Sequence, residues 1–170
     1  MMKRELTLTD IAGYLDHPLL GQHPTGAICW IDVEFIAQHG ISLAGYKPVL
    51  RPMSDLCEEI TEQGYNEGKP FVPIVTMAKV AYNGVGDWGH PIYSGEVYQC
   101  SCNGIFYGFE PTDGSFIVCD QTGFPVFSPK QRDLFDLLHR LHFDYRGLID
   151  AGLAVSVHDL KQNPYEAANN

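Results

Sequence analysis

The sequence predicts an α+β fold, in which an antiparallel sheet of hairpins and a meander packs against a few helices. Two observations carry this prediction. Short aromatic runs separated by turn pairs fill residues 92–127, and a capped amphipathic pattern predicts a main helix over about residues 129–144. A chain of 170 residues that is 45% apolar can bury a core of its own. We therefore predict one domain over residues 1–160, followed by a frayed tail over residues 161–170.

The first elements predicted along the chain are a helix and a hairpin. Thr7 is the expected N-cap, because Asp10 follows three positions later as in a capping box. Residues 26–36 alternate between apolar and polar side chains, which predicts a half-buried strand. A turn over residues 38–40 then leads to a second predicted strand over residues 41–46, completing the hairpin.

Two helices are predicted in the next third of the chain. Ser54 is a favourable N-cap for a short helix that Gly64 would end. In residues 70–82 the apolar side chains recur three and four positions apart, which is typical of an amphipathic helix.

The meander is predicted from its turns. Asn103-Gly104 is the strongest hairpin signal in the sequence, and Asp113-Gly114 introduces the following strand. The run FPVF after Gly123 is predicted to extend the meander.

The main helix follows from the order of its first residues. Ser128 as N-cap, Pro129 at the first helical position and Gln131 as the capping-box residue define its start. After a glycine-assisted exit, residues 153–157 predict a closing strand.

Composition excludes several classes of partner. The net charge is −10, and the longest basic run is a single Lys-Arg pair, which argues against binding to a phosphate backbone. No apolar stretch approaches the ~20 residues of a membrane-spanning helix. The odd number of cysteines, five, favours reduced thiols. We therefore predict a cytoplasmic protein that binds neither nucleic acid nor membrane.

One group of side chains suggests a metal site. His139 and His142 lie three apart in the main helix, and Cys100 and Cys102 share one face of a strand. Together they offer the four ligands of a tetrahedral zinc site. The spacing of the histidines differs from that of zinc-protease helices, and Arg140 lies between them. The alternative is that the histidines pack on the flank of the helix and that the thiols belong to a hairpin, and the sequence favours it.

A second group suggests a ligand surface in the middle of the chain. The glycine-rich segment 83–91 has the spacing of a dinucleotide-binding loop but lacks the strand before it and the helix after it, so that interpretation fails. Aromatic residues are dense beyond this segment and suit recognition surfaces, although core packing would also explain them. The candidate ligand-binding residues are Trp88, His90, Tyr93, Tyr98, Tyr107 and Arg51.

Three blocks of sequence resemble a known family. The blocks KRELTLTDIAGYL, KPVLRPMSDL and LFDLLHRLHFDYRGLIDAGLAVSVHDL cover less than a third of the chain. They resemble short proteins without an assigned activity that bacteriophages, prophages and mobile elements of gut bacteria carry. The resemblance implies that genetic setting, and with it the cytoplasm of a bacterial host, but no activity and no catalytic residues. Residues 84–127 lie outside it, and we expect that region to contact a partner.

Three functions remain open. The first is a non-catalytic phage or mobile-element accessory protein that binds a host protein or a small signalling molecule, for example to blunt an antiviral defence. The second is a zinc-dependent module or enzyme that uses the four candidate ligands. The third is a structural or assembly component. No catalytic residue is predicted, no cofactor is expected unless zinc is bound, and self-association into a homo-oligomer remains open.

Overall fold

A computed structural model describes residues 4–166, which fold into two compact units. The first unit contains the described residues up to Pro52 together with Leu138–Pro164. The second unit contains Met53–Leu137 and the described residues from Tyr165 onward. Each unit contains a four-stranded sheet, and the strand pairs are mostly antiparallel. The predicted α+β class is therefore confirmed.

The described residues contain four α-helices and eight strands. The helices are α1 (Leu8–Ile11), α2 (Val33–His39), α3 (Pro73–Ala81) and α4 (Gln131–Arg140). The strands are β1 (Leu19–Gln22), β2 (Ile28–Ile31), β3 (Lys47–Leu50), β4 (Gly89–Tyr93), β5 (Tyr98–Cys102), β6 (Ile105–Glu110), β7 (Ser115–Asp120) and β8 (Val155–Ser156).

The sheet of the first unit has the strand order β2-β1-β3-β8. Strand β1 is antiparallel to both β2 and β3, whereas β3 and β8 are parallel. The predicted capping box is present, because the Asp10 carboxylate accepts hydrogen bonds from the Thr7 amide at 2.9 Å and from its hydroxyl at 2.8 Å. The core beside this sheet is built from apolar side chains that are almost completely buried: Ile11, Tyr14, Leu19, Ile31, Leu43, Leu50, Leu148 and Ala154.

The hairpin predicted over residues 26–46 is wrong. Strand β2 ends at Ile31, because the Asp32 side chain accepts a hydrogen bond from the Phe35 amide at 2.7 Å and caps helix α2. The predicted second strand is replaced by a 3₁₀ turn over Leu43–Gly45. The second half of the alternating pattern, from Asp32 onward, forms the N-terminus of helix α2.

The sheet of the second unit is the predicted meander, with strand order β4-β5-β6-β7 and antiparallel pairing throughout. Helix α3 confirms the helix predicted over residues 70–82. The helix predicted from Ser54 to Gly64 is reduced to a 3₁₀ turn over Met53–Cys57. The run after Gly123 forms only an isolated bridge, between Pro125 and Cys119 of β7.

The elements near the C-terminus are shorter than predicted. Helix α4 ends at Arg140, and His142 adopts a left-handed backbone with φ of 60° that no helix continues through. The closing strand is limited to β8. Within the predicted tail, Tyr165 is buried and its carbonyl accepts a hydrogen bond from the Gln63 amide at 2.7 Å. The last four residues, 167–170, lie outside the described part of the chain.

Candidate functional site

The two histidines of the predicted metal site make hydrogen bonds within the first unit. His142 is buried, and its Nε2 lies 2.9 Å from the carbonyl oxygen of Pro18. Because a carbonyl oxygen only accepts, Nε2 carries the proton and donates it. The backbone carbonyl of His142 accepts from the Arg51 amide at 2.7 Å, and the Arg51 carbonyl accepts from the Asp144 amide at 2.8 Å. His142 thus fixes the segment that follows α4 within the first unit.

His139 is enclosed by neighbours from two segments of the same unit. Its Nε2 lies 2.9 Å from the hydroxyl oxygen of Tyr145, and its ring meets the Tyr14 ring edge-on at 5.0 Å. The imidazole also lies directly over Gly13, where a Cβ atom would come within 2.2 Å of the ring. A glycine is therefore required at position 13 for this ring to pack as it does.

Asp144 is a buried carboxylate two residues after His142 in the sequence. It accepts hydrogen bonds from the amides of Leu148 at 2.8 Å and Ile149 at 2.7 Å. Burial raises its pKa, and the two amide hydrogen bonds oppose that rise only in part. The group closes a turn of the backbone, which is a structural task.

The two cysteines belong to the second unit. Cys100 is buried in β5, its thiol donates to the Ile74 carbonyl at 3.6 Å, and burial raises its pKa to about 12. Cys102 lies on the same strand face and is partly exposed. Zinc binds the thiolate, so the fully protonated Cys100 is a poor starting point for a ligand. Among residues 4–166, no group of three or more His, Cys, Asp or Glu side chains is arranged to hold a metal ion.

The predicted ligand surface is divided between core and exterior. Trp88, Tyr98 and Tyr107 are buried, so they do not form the exposed surface that the sequence suggested. The Trp88 indole donates to the Val85 carbonyl at 3.0 Å and thereby anchors the glycine-rich segment. Arg51 is only 1% exposed and belongs to the first unit.

Two of the predicted ligand residues are exposed. Tyr93 stacks on Tyr98 with ring centroids 4.3 Å apart, and its hydroxyl donates to the Gly95 carbonyl at 2.7 Å. His90 is exposed on the same strand and has a positive φ of 53°. These two contacts fix the Tyr93 ring against Tyr98.

The second unit instead presents an apolar surface that the sequence did not single out as a site. We call it the FPVF surface, and it consists of Ile117, Phe124, Pro125, Val126 and Phe127. Phe124 is 71% exposed and Val126 is 46% exposed. The segment lies along β7, because the Phe124 carbonyl accepts from the Asp120 amide at 3.0 Å and the Val126 amide donates to the Val118 carbonyl at 3.0 Å.

Asp120 fixes the turn that presents Phe124. Its Oδ1 accepts hydrogen bonds from the Thr122 hydroxyl at 2.6 Å, the Thr122 amide at 2.8 Å and the Phe124 amide at 3.1 Å. These hydrogen bonds lower the pKa of Asp120. The backbone that presents the exposed phenyl ring is therefore held by a structured turn.

A concavity of about 490 Å³ adjoins this surface. It is lined by residues of β7, of the FPVF segment and of the start of α4, and none of the lining residues carries a charge. Its size falls in the range of small-molecule sites, which is roughly 300–1,000 Å³. Its chemistry suits an apolar group and offers no counter-charge to a phosphate.

A concavity of about 540 Å³ in the first unit has a different character. Arg4, Lys47 and Tyr46 are among its lining residues, together with Glu5. The Arg4 guanidinium is already paired with the Asp10 carboxylate at 2.7 Å. The positive charge that Arg4 brings to the concavity is therefore partly neutralised by Asp10 of the same unit.

The FPVF surface had a sequence signal. Four apolar residues follow one another without alternation between Gly123 and the Ser128-Pro129 cap, and a solvent-facing edge segment normally interrupts such a run with charge. Within the described residues no helix is long and apolar enough to cross a membrane. No protein-family model, curated protein or solved structure matches the chain.

Proposed function

We propose that this chain is a non-catalytic accessory protein of a phage or mobile element and that it binds a host protein through the FPVF surface. The observation that carries the proposal is the 71% exposure of Phe124 on a segment whose turn is fixed by Asp120. Large aromatic side chains held in place give much contact area at little cost in conformational entropy. The genetic setting implied by the sequence resemblance makes a protein of the host cytoplasm the natural partner.

The chemistry of the surface favours a protein partner over a nucleotide-derived signal. The uncharged concavity offers an apolar side chain a place to bury, next to the exposed ring of Phe124 and the exposed methyl groups of Val126. A phosphate-bearing ligand would need basic donors, and the lining contains none. An overall charge of −10 makes a basic rim on the partner the complementary choice.

The test compares two sets of exposed substitutions in the second unit. The partner is first isolated from host extract, identified, purified and shown to bind the wild-type chain directly by calorimetry. We expect the Phe124→Ser/Val126→Ser variant to weaken binding at least tenfold, because it removes the apolar anchors. The control Ile92→Ser alters a side chain that is 55% exposed on β4, and it should leave binding unchanged.

Both variants change exposed side chains, so the free energy of unfolding of each should lie within about 0.5 kcal/mol of the wild-type value. Unchanged affinity in the Phe124→Ser/Val126→Ser variant would refute the proposal, whatever protein was captured. Equal loss in the Ile92→Ser control would place the contact elsewhere on the second unit and would refute it as well.

A further inference from the structure

The two sheets have four edge strands, and three of them are protected against pairing with another chain. Strand β8 is only two residues long. Strand β4 contains Pro91 and an irregular register between Gly89 and Ile92. Strand β7 is covered by the segment around Pro125. Short length, proline, bulges and a covering loop are the devices by which proteins prevent edge-to-edge association.

Within the described residues, β2 is the edge strand that has none of these devices. It has no proline and no bulge, and its register with β1 is continuous from Ile28 to Ile31. No charged residue occurs between Gly26 and Ile31, and Asp32 is the first one after the strand. An edge of this kind is a template for another strand.

The backbone groups that face outward follow from the register. The His23 amide donates to the Ala27 carbonyl at 2.8 Å, and hydrogen-bonded pairs in an antiparallel ladder recur every second residue. Cys29 and Ile31 therefore bond to β1. The amides and carbonyls of Ile28 and Trp30 point away from it, toward the edge of the sheet.

The side chains of those same two residues are also exposed. Ile28 is 44% exposed and Trp30 is 58% exposed, and their spacing of two places them on one face of the sheet. An exposed tryptophan beside an exposed isoleucine is an apolar contact surface in a molecule that otherwise carries a net charge of −10.

We propose that β2 pairs antiparallel with β2 of a second copy of this chain. The two-fold axis that relates the copies passes midway between the two Cys29 residues. This pairing forms a continuous sheet across a symmetric dimer, with about four new backbone hydrogen bonds. Trp30 then lies opposite the partner's Ile28 at both ends, which is an aromatic–β-branched pair of the kind that stabilises sheets.

Charge selects this register over its neighbours. In it, Asp32 lies opposite the partner's Gly26, so no charged residue meets another charged or apolar side chain. A shift by two residues one way places Asp32 against the partner's Ile28. A shift the other way places Trp30 against the partner's Gly26 and replaces both Trp30–Ile28 pairs with a single pair of the two Ile28 residues. The inference is independent of the FPVF surface, which belongs to the other unit.

The first test measures molecular mass over a roughly hundredfold range of protein concentration by sedimentation equilibrium. We expect a monomer–dimer equilibrium that strengthens with added salt, because salt screens the repulsion between two chains of charge −10. Trp30→Lys should shift the dissociation constant at least tenfold toward monomer, and the similarly exposed control Ile92→Lys should not. A monomer at every concentration, or a dimer indifferent to Trp30→Lys, would overturn the proposal.

The second test reads the register directly. The two Cys29 residues form a non-hydrogen-bonded pair with Cα atoms about 4.5 Å apart, within the separation that a disulfide spans. Diamide should therefore link them, with each thiol losing one hydrogen and diamide taking up both. The linked dimer should be absent in the Cys29→Ser variant. Sedimentation of that variant should still show a dimer, and failure of diamide to link the wild-type dimer through Cys29 would refute the register.

Discussion

Gly13 provides the sharpest test of the role assigned to the histidine motif. If His139 is a packing residue, adding one methyl group at position 13 must displace its imidazole. The added Cβ atom would lie 2.2 Å from the ring, whereas ordinary contact begins at 3.4 Å. The ring must therefore move by about 1.2 Å, which breaks the 2.9 Å contact with Tyr145, or the backbone at position 13 must shift.

The expected magnitude follows from two opposing effects. Overpacking of a closely packed site costs about 1–3 kcal/mol, and a lost hydrogen bond adds about 1 kcal/mol. Alanine is intrinsically better than glycine in a helical turn by about 0.5–1 kcal/mol. We therefore expect Gly13→Ala to lower the free energy of unfolding by about 1–3 kcal/mol, measured by urea denaturation followed by circular dichroism.

A double-mutant cycle separates the clash from any general effect of the substitution. In a His139→Ala background the space above position 13 is open, so Gly13→Ala should become neutral or slightly stabilising there. The control is Gly89→Ala, because a Cβ atom at Gly89 would meet nothing within 4 Å and its φ is not left-handed. Equal destabilisation by Gly13→Ala in both backgrounds would refute the packing argument.

Four further predictions concern carboxylates and metal. The pKa of Asp144 is raised, mainly by burial, so ionisation of this carboxyl group opposes folding. The free energy of unfolding of the wild type, compared with that of Asp144→Asn, should therefore rise as pH falls through the raised pKa toward 3.8. At Asp10 burial raises the pKa, but hydrogen bonds from Thr7 and Arg4 outweigh that effect and lower it. The ionised carboxylate therefore stabilises the fold above pH 3.8, and this stabilisation is lost as pH falls through the lowered pKa. Urea denaturation of the wild type and Asp10→Asn over this pH range measures the difference. Asp120→Ala should speed amide hydrogen exchange in the turn before the FPVF surface by at least tenfold, whereas Asp120→Asn, which keeps an acceptor, should have little effect. Elemental analysis should find no stoichiometric zinc, and a chelator should leave the urea midpoint unchanged; a full equivalent of zinc would contradict the packing role of the histidines.

Local signals were sufficient where the deciding interaction lies close in sequence. The capping box at Thr7 and the turns of the meander involve residues within four positions of each other, and both were predicted correctly. The helical periodicity of α3 was equally local. These elements follow from backbone geometry and capping, which a single sequence displays.

The predictions that failed depended on distant contacts. The end of α4 is set by the bonds that join His142 to Pro18 and Arg51, which lie far away in the sequence. The aromatic residues of the middle region divide into core and surface even on one sheet face, because Tyr93 and Tyr98 are cross-strand partners and only Tyr98 is buried. Composition predicts that aromatics cluster, but it does not indicate that Trp88 and Tyr107 meet in the interior, where their ring centroids are 6.4 Å apart.

The wrong hairpin and the proposed dimer have the same cause. Had residues 41–46 formed the predicted strand, they would have paired with β2 and satisfied the outward amides of Ile28 and Trp30. Asp32 prevents this, because its cap on the Phe35 amide turns the chain into α2 one residue after the strand ends. Strand β2 is therefore left at the edge of its sheet with β1 as its neighbour. A second copy of β2 is the partner that restores the missing pairing without placing a charge against an apolar side chain.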